Sequence, residues 1–171
     1  EVAFETYVAC VVSSEMSALC PSEFVKAQAV AARSWALVFL DHKHTDTPFT
    51  ICNDDDCQRY QGTTHCSEKT LKAVFACRGR FILTPAKFVC PAYYSKSCGG
   101  HTEDPAEIFG FRVSGLSAVP DSDAKHPGKP YCSPAFVPEN DLKKYLGAVD
   151  DKGKYFRWGY VLPHDVLVNN L

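Results

Sequence analysis

Glu15 is the residue whose surroundings best suit acid–base chemistry. It follows the apolar residues 8–12 and directly precedes Met16, the only methionine of the chain. Partial burial in such surroundings raises the pKa of a carboxyl, which makes it a usable proton donor near neutral pH. A guanidinium such as that of Arg33 has the opposite effect when it lies close. From the residues alone, an ordinary carboxylate at the end of a helix is the better explanation of Glu15, because most Glu side chains are surface groups.

The motifs of several large enzyme classes are missing from the sequence. It contains no GxSxG, no Walker A motif, no HExxH and no GxGxxG. His101 and Glu103 match the first half of a zinc deaminase signature, but Cys132 is followed by Ser-Pro-Ala and the second half is therefore absent. These absences exclude the corresponding hydrolases, nucleotide-binding enzymes and deaminases.

The composition is that of one soluble globular domain. The chain has 171 residues, of which 46% are hydrophobic and 22% are charged, and this length predicts a single core. The net charge is only −2, so neither nucleic acid nor an anionic membrane surface is an expected partner. The most apolar stretch, residues 29–40, contains Arg33 and is too short to cross a bilayer. We expect no transmembrane segment within this chain.

Nine cysteines are the unusual feature of the composition. A reducing cytosol keeps thiols unpaired, so this number predicts an oxidising compartment with several disulfides, a metal site, or both. The odd count leaves at least one thiol over if all the others pair.

Two helices that would position these groups are predicted by local patterns. Residues 22–40 contain five alanines and no Gly or Pro, with Ser22 as a plausible N-cap. Residues 67–78 carry an i, i+3, i+4 apolar stripe and end before Gly79. Residues 6–12 fit either a strand or a short buried helix, because their apolar run has no decisive period.

The rest of the pattern predicts strands and long loops. Residues 81–84 and 88–95 are predicted to form a hairpin, residues 155–162 a further strand and residues 163–171 the start of a helix. The Pro-rich residues 102–153 are expected to form ordered loops with short helices near Glu107 and Asp141. The expected fold class is α+β: a single domain with a long helix, a mixed or antiparallel sheet, and long loops that roof a substrate cleft.

Several segments, taken in order along nearly the whole chain, resemble the SpoIID/LytB domain of bacterial cell-wall enzymes. The first, YVACVVSSEM at residues 7–16, is the most specific. The others are KAQAVAARS at 26–34, CQRYQG at 57–62, residues 73–74 with 78–79, AYYS at 92–95, SCGGHTE at 97–103 and YFRW at 155–158. The family's sequence usually continues past the last segment, which predicts that residues 1–171 are one catalytic domain cut short at its C-terminal end.

The resemblance implies a peptidoglycan lytic transglycosylase in the bacterial cell envelope, acting in cell division or sporulation. Its substrate would be glycan strands, often ones from which an amidase has removed the stem peptides. Glu15 falls on the family's catalytic glutamate. As a general acid it would protonate the glycosidic oxygen, and as a base it would deprotonate the sugar's own 6-hydroxyl, which closes a 1,6-anhydro ring. This chemistry needs no second carboxylate and no cofactor.

The resemblance also implies a set of substrate-binding residues. Arg33 would orient Glu15 or bind a lactyl carboxylate of the substrate, although a helix-surface arginine explains it too. The glycines of the 98–102 turn would let the backbone approach a sugar, and a tyrosine would stack on it or donate to it. The predicted residues are Arg33, Tyr94, Ser95, Gly99, Gly100, His101, Tyr155 and Arg157.

Some family members hold a metal in the segment before Cys57. His44 (or His42), Cys52 and Cys57 preserve part of that pattern, which implies a structural zinc site. Asp56 stands where the family frequently has His. A Cys52–Cys57 disulfide, or ligation completed by His65 or Cys66, fits the residues about as well. Cys98 and Cys132 resemble a second family pairing, by disulfide or by metal.

Two other classes of function fit the same sequence. The first is a glycan-binding protein, or an activator of a cell-wall amidase, that uses the same cleft without cleaving its ligand. The second is a disulfide-rich structural protein of the envelope. Binding of glycan separates the second from the others, and formation of anhydro ends separates an enzyme from a binding protein.

Overall fold

A computed structural model describes residues 1–40, 42–54, 56–146, 155–159 and 161–163. Its helices are α1 (Phe4–Glu15), α2 (Ser22–Phe39), α3 (Glu68–Ala76), α4 (Pro105–Phe109) and α5 (Glu139–Tyr145), with a 3₁₀ turn at Thr63–His65. The predicted helices over 22–40 and 67–78 are therefore confirmed, as are the short helices near Glu107 and Asp141.

The core lies where α1, α2 and α3 pack on one another. Val8 and Val12 of α1, Val25 and Ala29 of α2 and Val74 of α3 belong to one buried cluster. Residues 8–12 of α1 are all buried, so this part of the helix is apolar on every side and occupies the centre. That all-round burial explains why the apolar run has no helical period in the sequence.

Local signals explain where α2 and α3 begin and end. Ser67 precedes α3, and its side chain accepts a hydrogen bond from the backbone N–H of Thr70 over 3.1 Å, as an N-cap does. Gly79 follows the helix with φ of 73°, a left-handed conformation that favours glycine. The N-cap of α2 is Pro21 rather than the predicted Ser22, which is the first helical residue.

The predicted α+β fold with a mixed or antiparallel sheet is wrong for the residues that the structure describes. They contain helices and three isolated β-bridges but no strand. Where a hairpin was predicted, the structure has the Leu83–Val89 bridge and two backbone hydrogen bonds of 2.8 Å around the turn, from Thr84 to Phe88 and from Cys90 to Ile82. Phe81, Ile82 and Phe88 are exposed there. A two-stranded ribbon without a covered apolar face is only marginally stable, and β-branched residues favour strands chiefly when they are packed.

The described residues after α4 are mostly irregular apart from α5. Residues 155–159, 161 and 162 do not form the predicted strand. Residues 147–153 of the predicted loop region and residues 164–171 of the predicted last helix lie outside the described residues. Helix α4 ends at Gly110, whose φ is 74°.

Among the described residues, no helix is both long enough and apolar enough to cross a membrane.

Candidate functional site

Glu15 is the last residue of α1 and is half-buried. The chain leaves the helix at Met16, which has an extended backbone and forms an isolated bridge with Leu146. The backbone N–H of Ser17 donates to the carbonyl of Tyr145 over 2.9 Å. The end of α5 therefore lies beside the end of α1, and a depression of about 130 Å³ lined by Met16, Ser17 and Leu146 opens there.

Residues 94–96 place two polar side chains at this end of α1. The Lys96 ammonium donates to the Glu15 backbone carbonyl over 3.3 Å, a favourable place for a cation because the last carbonyls of a helix carry partial negative charge. Burial, and in second place the charge of Glu15, raises the pKa of Tyr94. The phenol of Tyr94 thus stays protonated near the Glu15 carboxylate. Sequence reasoning missed Lys96, although it lies only two residues from Tyr94.

Gln58 links this region to the rest of the core. It is 4% exposed, and its amide donates to the phenol oxygen of Tyr94 over 3.0 Å and to the carbonyl of Ala32 over 3.2 Å. The Tyr7 hydroxyl donates to the Gln58 amide oxygen over 3.1 Å. One buried amide therefore joins α1, α2 and the segment that carries Tyr94. Gln58 and Tyr7 were part of the family-like motifs, but no role was predicted for them.

A second group of polar side chains lies immediately before Gln58. Ligand atoms of His44, Cys52, Asp56 and Cys57 all lie within 4.8 Å of one another. The His44 Nε2 is 3.1 Å from the Cys57 Sγ and 3.7 Å from an Asp56 carboxylate oxygen. His44 has φ of 56°, a left-handed backbone that is uncommon for a residue other than glycine and recurs at functional sites.

The donors of this cluster fit zinc. Four N, S and O ligands from side chains are what a closed tetrahedral zinc site uses. Lys43 forms an ion pair of 3.0 Å with the Asp56 carboxylate, and its positive charge offsets part of the negative charge of two thiolates and a carboxylate. Asp56, a departure from the family pattern in the sequence, lies among the ligand atoms. Cys66 is elsewhere, since its Sγ accepts a hydrogen bond from Ser13 of α1.

Arg33 lies at the other end of α1 from Glu15. Its guanidinium is 1% exposed and binds both carboxylate oxygens of Glu5, over 3.1 and 2.7 Å, and the carbonyl of Arg80 over 2.8 Å. Glu5 and Glu15 are ten residues apart in one helix, which corresponds to about 15 Å along the axis. Arg33 therefore ties α1 and α2 to the end of α3, and its role in substrate binding stays a prediction.

The glycine turn of residues 98–102 is in contact with Arg157, another residue predicted to bind substrate. The Arg157 guanidinium donates to the carbonyl of Gly99 over 2.8 Å and lies over the Phe156 ring. Gly99 and Gly100 have φ of 69° and 109°, and a Cβ on Gly100 would lie 2.8 Å from the Pro130 ring. Glycine is required at that position both by its conformation and by this close approach.

The remaining predicted residues flank the two partners of this contact in the sequence: Ser95 and His101 lie near the glycine turn, and Tyr155 lies two residues before Arg157. Ser95 and His101 are exposed, and Tyr155 is half-buried. The His101 Nδ1 is 2.9 Å from the backbone carbonyl of Thr102. The structure thus brings Tyr94 towards Glu15 and Arg157 to Gly99, while Arg33 binds Glu5 at the other end of α1 from Glu15. The substrate-binding roles of these residues stay predictions.

Two comparisons with known proteins bear on this site. Residues 1–83 match the family model described as "SpoIID: Stage II sporulation protein". An uncharacterized protein of Brachyspira hyodysenteriae is 33% identical over 147 residues, which are 85% of this chain and 40% of the relative. The chain thus spans about 40% of the length of that relative. The matched residues 1–83 include Glu15, Gln58 and the His44–Cys57 cluster, whereas Tyr94 and the glycine turn lie beyond them.

Proposed function

Since the chain belongs to the SpoIID family through residues 1–83, we propose that it is a lytic transglycosylase that cleaves peptidoglycan glycan strands. Its products would carry 1,6-anhydro-muramyl ends, and its preferred strands would lack stem peptides. The place of action would be the bacterial cell envelope, where an amidase could supply such strands. The observation that carries the proposal is the position of Glu15: it is half-buried at the end of α1, its charge acts on the Tyr94 phenol, and its backbone carbonyl accepts a hydrogen bond from the Lys96 ammonium.

The proposed reaction uses one carboxyl twice. Glu15 donates its proton to the glycosidic oxygen as the bond from that oxygen to C1 of the muramyl sugar breaks. The Glu15 carboxylate then removes the proton of the 6-hydroxyl of the same sugar while that oxygen bonds to C1. Glu15 regains in the second step the proton that it lost in the first. No water is consumed, because the 6-hydroxyl oxygen of the same sugar forms the new bond to C1.

The neighbours of Glu15 suit both steps. The negative end of α1 favours the neutral acid that must donate the proton. The Lys96 ammonium favours the carboxylate that forms after donation. Because the Tyr94 phenol stays protonated, it can donate a hydrogen bond to a substrate oxygen or to the carboxylate. We propose that Tyr94 and Lys96 touch the reacting groups, and that Gln58 positions Tyr94 by its bond of 3.0 Å.

We propose that the cluster of His44, Cys52, Asp56 and Cys57 binds a structural zinc ion. Zinc would supply a cross-link between residues 44 and 57, a segment whose described residues form no helix or strand. Cys57 is packed against Trp35 and Ala36 of α2, and Gln58 follows it directly. Holding Cys57 in place therefore also holds the amide that contacts Tyr94.

The activity is tested by incubating the purified chain with glycan strands stripped of stem peptides and searching for anhydro ends by mass spectrometry. The Glu15→Gln variant keeps the shape of the side chain but lacks the transferable proton, so we expect no anhydro product from it. Glu68→Gln is the matched control, because Glu68 is an exposed residue of α3 that forms an ion pair with Lys72 of the same helix. Equal activity in wild type and Glu15→Gln would exclude this role.

A non-catalytic glycan-binding protein, or an activator of an amidase, is the second candidate. It is favoured by a row of exposed aromatic rings that begins next to Tyr94. The rings of Tyr93 and Phe109 are 4.7 Å apart, and those of Phe109 and Phe111 are 5.7 Å apart, with each residue exposed by 36% to 50%. Aromatic rings present apolar area suited to the faces of sugars. Retention of glycan strands without any anhydro product would support this candidate.

A further inference from the structure

Cys10 and Cys66 are two thiols that neither the proposed reaction nor the candidate zinc cluster uses. Cys10 lies in the buried middle of α1 and is 1% exposed, and Cys66 is half-buried directly after the 3₁₀ turn at Thr63–His65. Both are free thiols. They are distinct from Cys98 and Cys132, the pair that the family resemblance already implies, whose sulfur atoms are 3.7 Å apart.

The segment of chain that carries Cys66 runs along α1. The backbone N–H of Gln61 donates to the Ser14 hydroxyl over 3.1 Å, and the Ser13 hydroxyl donates to the Cys66 Sγ over 3.5 Å. The 3₁₀ turn between these two contacts also packs on α1. Residues 61–66 are therefore held against the C-terminal half of this helix.

Ser13 holds the Cys66 sulfur on the side of α1 that carries Cys10. Residues three apart in a helix are neighbours, with about 5 to 6 Å between their Cβ atoms, and a helical side chain covers the turn that precedes its own Cα. The titration of Cys10 agrees with this placement. Burial is the first cause that raises its pKa to about 11, and the charge of Cys66 and a hydrogen bond between the two thiols follow.

The surroundings of this pair suit a disulfide better than a metal ion. Among the residues that the structure describes, the groups of three or more His, Cys, Asp or Glu that could hold a metal include neither Cys10 nor Cys66. The polar neighbours of the pair are the hydroxyls of Ser13 and Tyr60, and Tyr60 forms a hydrogen bond with Cys10. Structural zinc sites use thiolates, imidazoles and carboxylates instead.

We propose that Cys10 and Cys66 are a redox-active pair that closes to a disulfide, with Cys66 as the attacking thiol and Cys10 as the resolving thiol. This order follows from burial, since Cys66 is the more accessible of the two. The oxidant is a low-molecular-weight disulfide. The Cys66 thiolate bonds to one donor sulfur as the donor S–S bond breaks and the other donor sulfur leaves as a thiolate.

The second step takes place within the protein. The Cys10 thiol loses its proton to solvent and its sulfur attacks the Cys66 sulfur, which releases the second donor thiolate. The two cysteines are oxidised, the donor disulfide is reduced, and the two protons of the protein thiols end on the two donor thiolates. The Tyr60 phenol stabilises the Cys10 thiolate, because its hydrogen bond lowers the pKa of that thiol against the effect of burial.

The proposed bond would fasten residues 57–66 to α1 covalently. Gln58 lies at the other end of this segment and is held to α1 by its hydrogen bond from Tyr7. The disulfide would close a loop of residues 10–66, and a closed loop has fewer unfolded conformations. We expect the oxidised protein to unfold at a higher urea concentration than the reduced protein. The inference does not rest on the proposed reaction of Glu15.

Peptide mapping without reduction tests the proposal. The reduced chain is equilibrated with oxidised glutathione in the presence of a chelator, unfolded, alkylated and digested. Trypsin together with a glutamate-specific protease places Cys10 alone in residues 6–15 and Cys66 alone in residues 60–68. We expect these two peptides to be joined, about 2 Da lighter than their sum, and to separate in reductant. Alkylation of both thiols, or pairing of either with a different cysteine, would overturn the proposal.

Three variants test the order of the steps. Cys10→Ala keeps the attacking thiol and lacks the resolving one, so Cys66 should retain one glutathione as a mixed disulfide. In Cys66→Ser, the buried Cys10 should stay unmodified under the same conditions. Cys90→Ser changes a buried cysteine elsewhere and should keep the joined peptides. Glutathione on Cys10 in Cys66→Ser, with none on Cys66 in Cys10→Ala, would refute the assigned order. The map of the wild-type protein stands even if a variant fails to fold.

Discussion

The amide of Gln58 donates to the phenol of Tyr94 across 36 residues of sequence, over 3.0 Å. Gln58 lies inside the part of the chain that matches the SpoIID family model, and Tyr94 lies outside it. Gln58 also follows Cys57, a member of the candidate zinc cluster. This hydrogen bond therefore connects the cluster to the neighbourhood of Glu15, and its loss should affect both stability and activity.

Replacing Gln58 with Leu should destabilise the fold and impair the site. The change leaves the Tyr7 hydroxyl and the Tyr94 phenol without their buried partner, and each unsatisfied group costs about 1 to 3 kcal/mol. We expect a lower free energy of unfolding in urea and at least a tenfold loss of anhydro product. Gln61→Leu, the same change on an exposed neighbour, is the control. A Gln58→Leu variant that is as stable and active as this control would contradict the role of Gln58.

Replacing Arg33 with Met should act on stability. The Glu5 carboxylate would lose both of its hydrogen bonds from the guanidinium, and breaking a buried ion pair by removing one partner costs about 3 to 5 kcal/mol. Lysine at this position cannot make the bidentate contact and should recover only part of the loss. Unfolding curves and glycan retention are measured together. A variant of normal stability that no longer binds glycan would instead support the predicted role of Arg33 in substrate binding.

The candidate zinc cluster should bind about one zinc ion per chain when the protein is purified with the metal present. Cys57→Ser removes one thiolate and should abolish tight binding, whereas Cys90→Ser changes a buried cysteine outside the cluster and should not. A chelator should lower the melting temperature of the wild type and of Cys90→Ser. Atomic absorption and thermal melts check this. A Cys52–Cys57 disulfide in a protein that binds no zinc would contradict this prediction.

Alkaline pH should reduce stability through Cys10. Burial, and then the neighbouring Cys66, raises the pKa of this thiol from 9.0 to about 11. Between these values the unfolded chain has lost the proton that the folded chain still holds. The free energy of unfolding therefore falls as pH rises from about 9 to about 11, by on the order of 2 kcal/mol, and the loss ends above that range.

The Cys10→Ala variant isolates this effect from the titration of other groups. It loses some packing at every pH, because Cys10 is 1% exposed, but it lacks the titrating thiol. Urea unfolding at pH 8, 9, 10 and 11, in the presence of reductant, gives the two pH profiles. We expect the wild-type profile to fall more steeply, and parallel profiles would contradict the predicted contribution of Cys10.

The sequence by itself determined the elements whose signals are local. A helix is built from hydrogen bonds four residues apart and has characteristic residues at its ends, so the alanines of α2, and the apolar stripe of α3 with Gly79 after it, sufficed to predict both helices. The motif around Glu15 sufficed to indicate the family, and the residues 1–83 that match its model contain that motif.

Only the tertiary structure decided the features that depend on distant contacts. Whether α1 was a strand or a helix depended on the neighbours that bury it on all sides. The hairpin around Leu83 did not become part of a sheet, because its apolar residues Phe81, Ile82 and Phe88 stay exposed. In the folded chain, Arg33 binds Glu5 rather than lying near Glu15. Asp56 lies beside His44, and the Gln58 amide donates a hydrogen bond to Tyr94. Each of these pairings joins residues far apart in the chain, and no local period or spacing encodes such a contact.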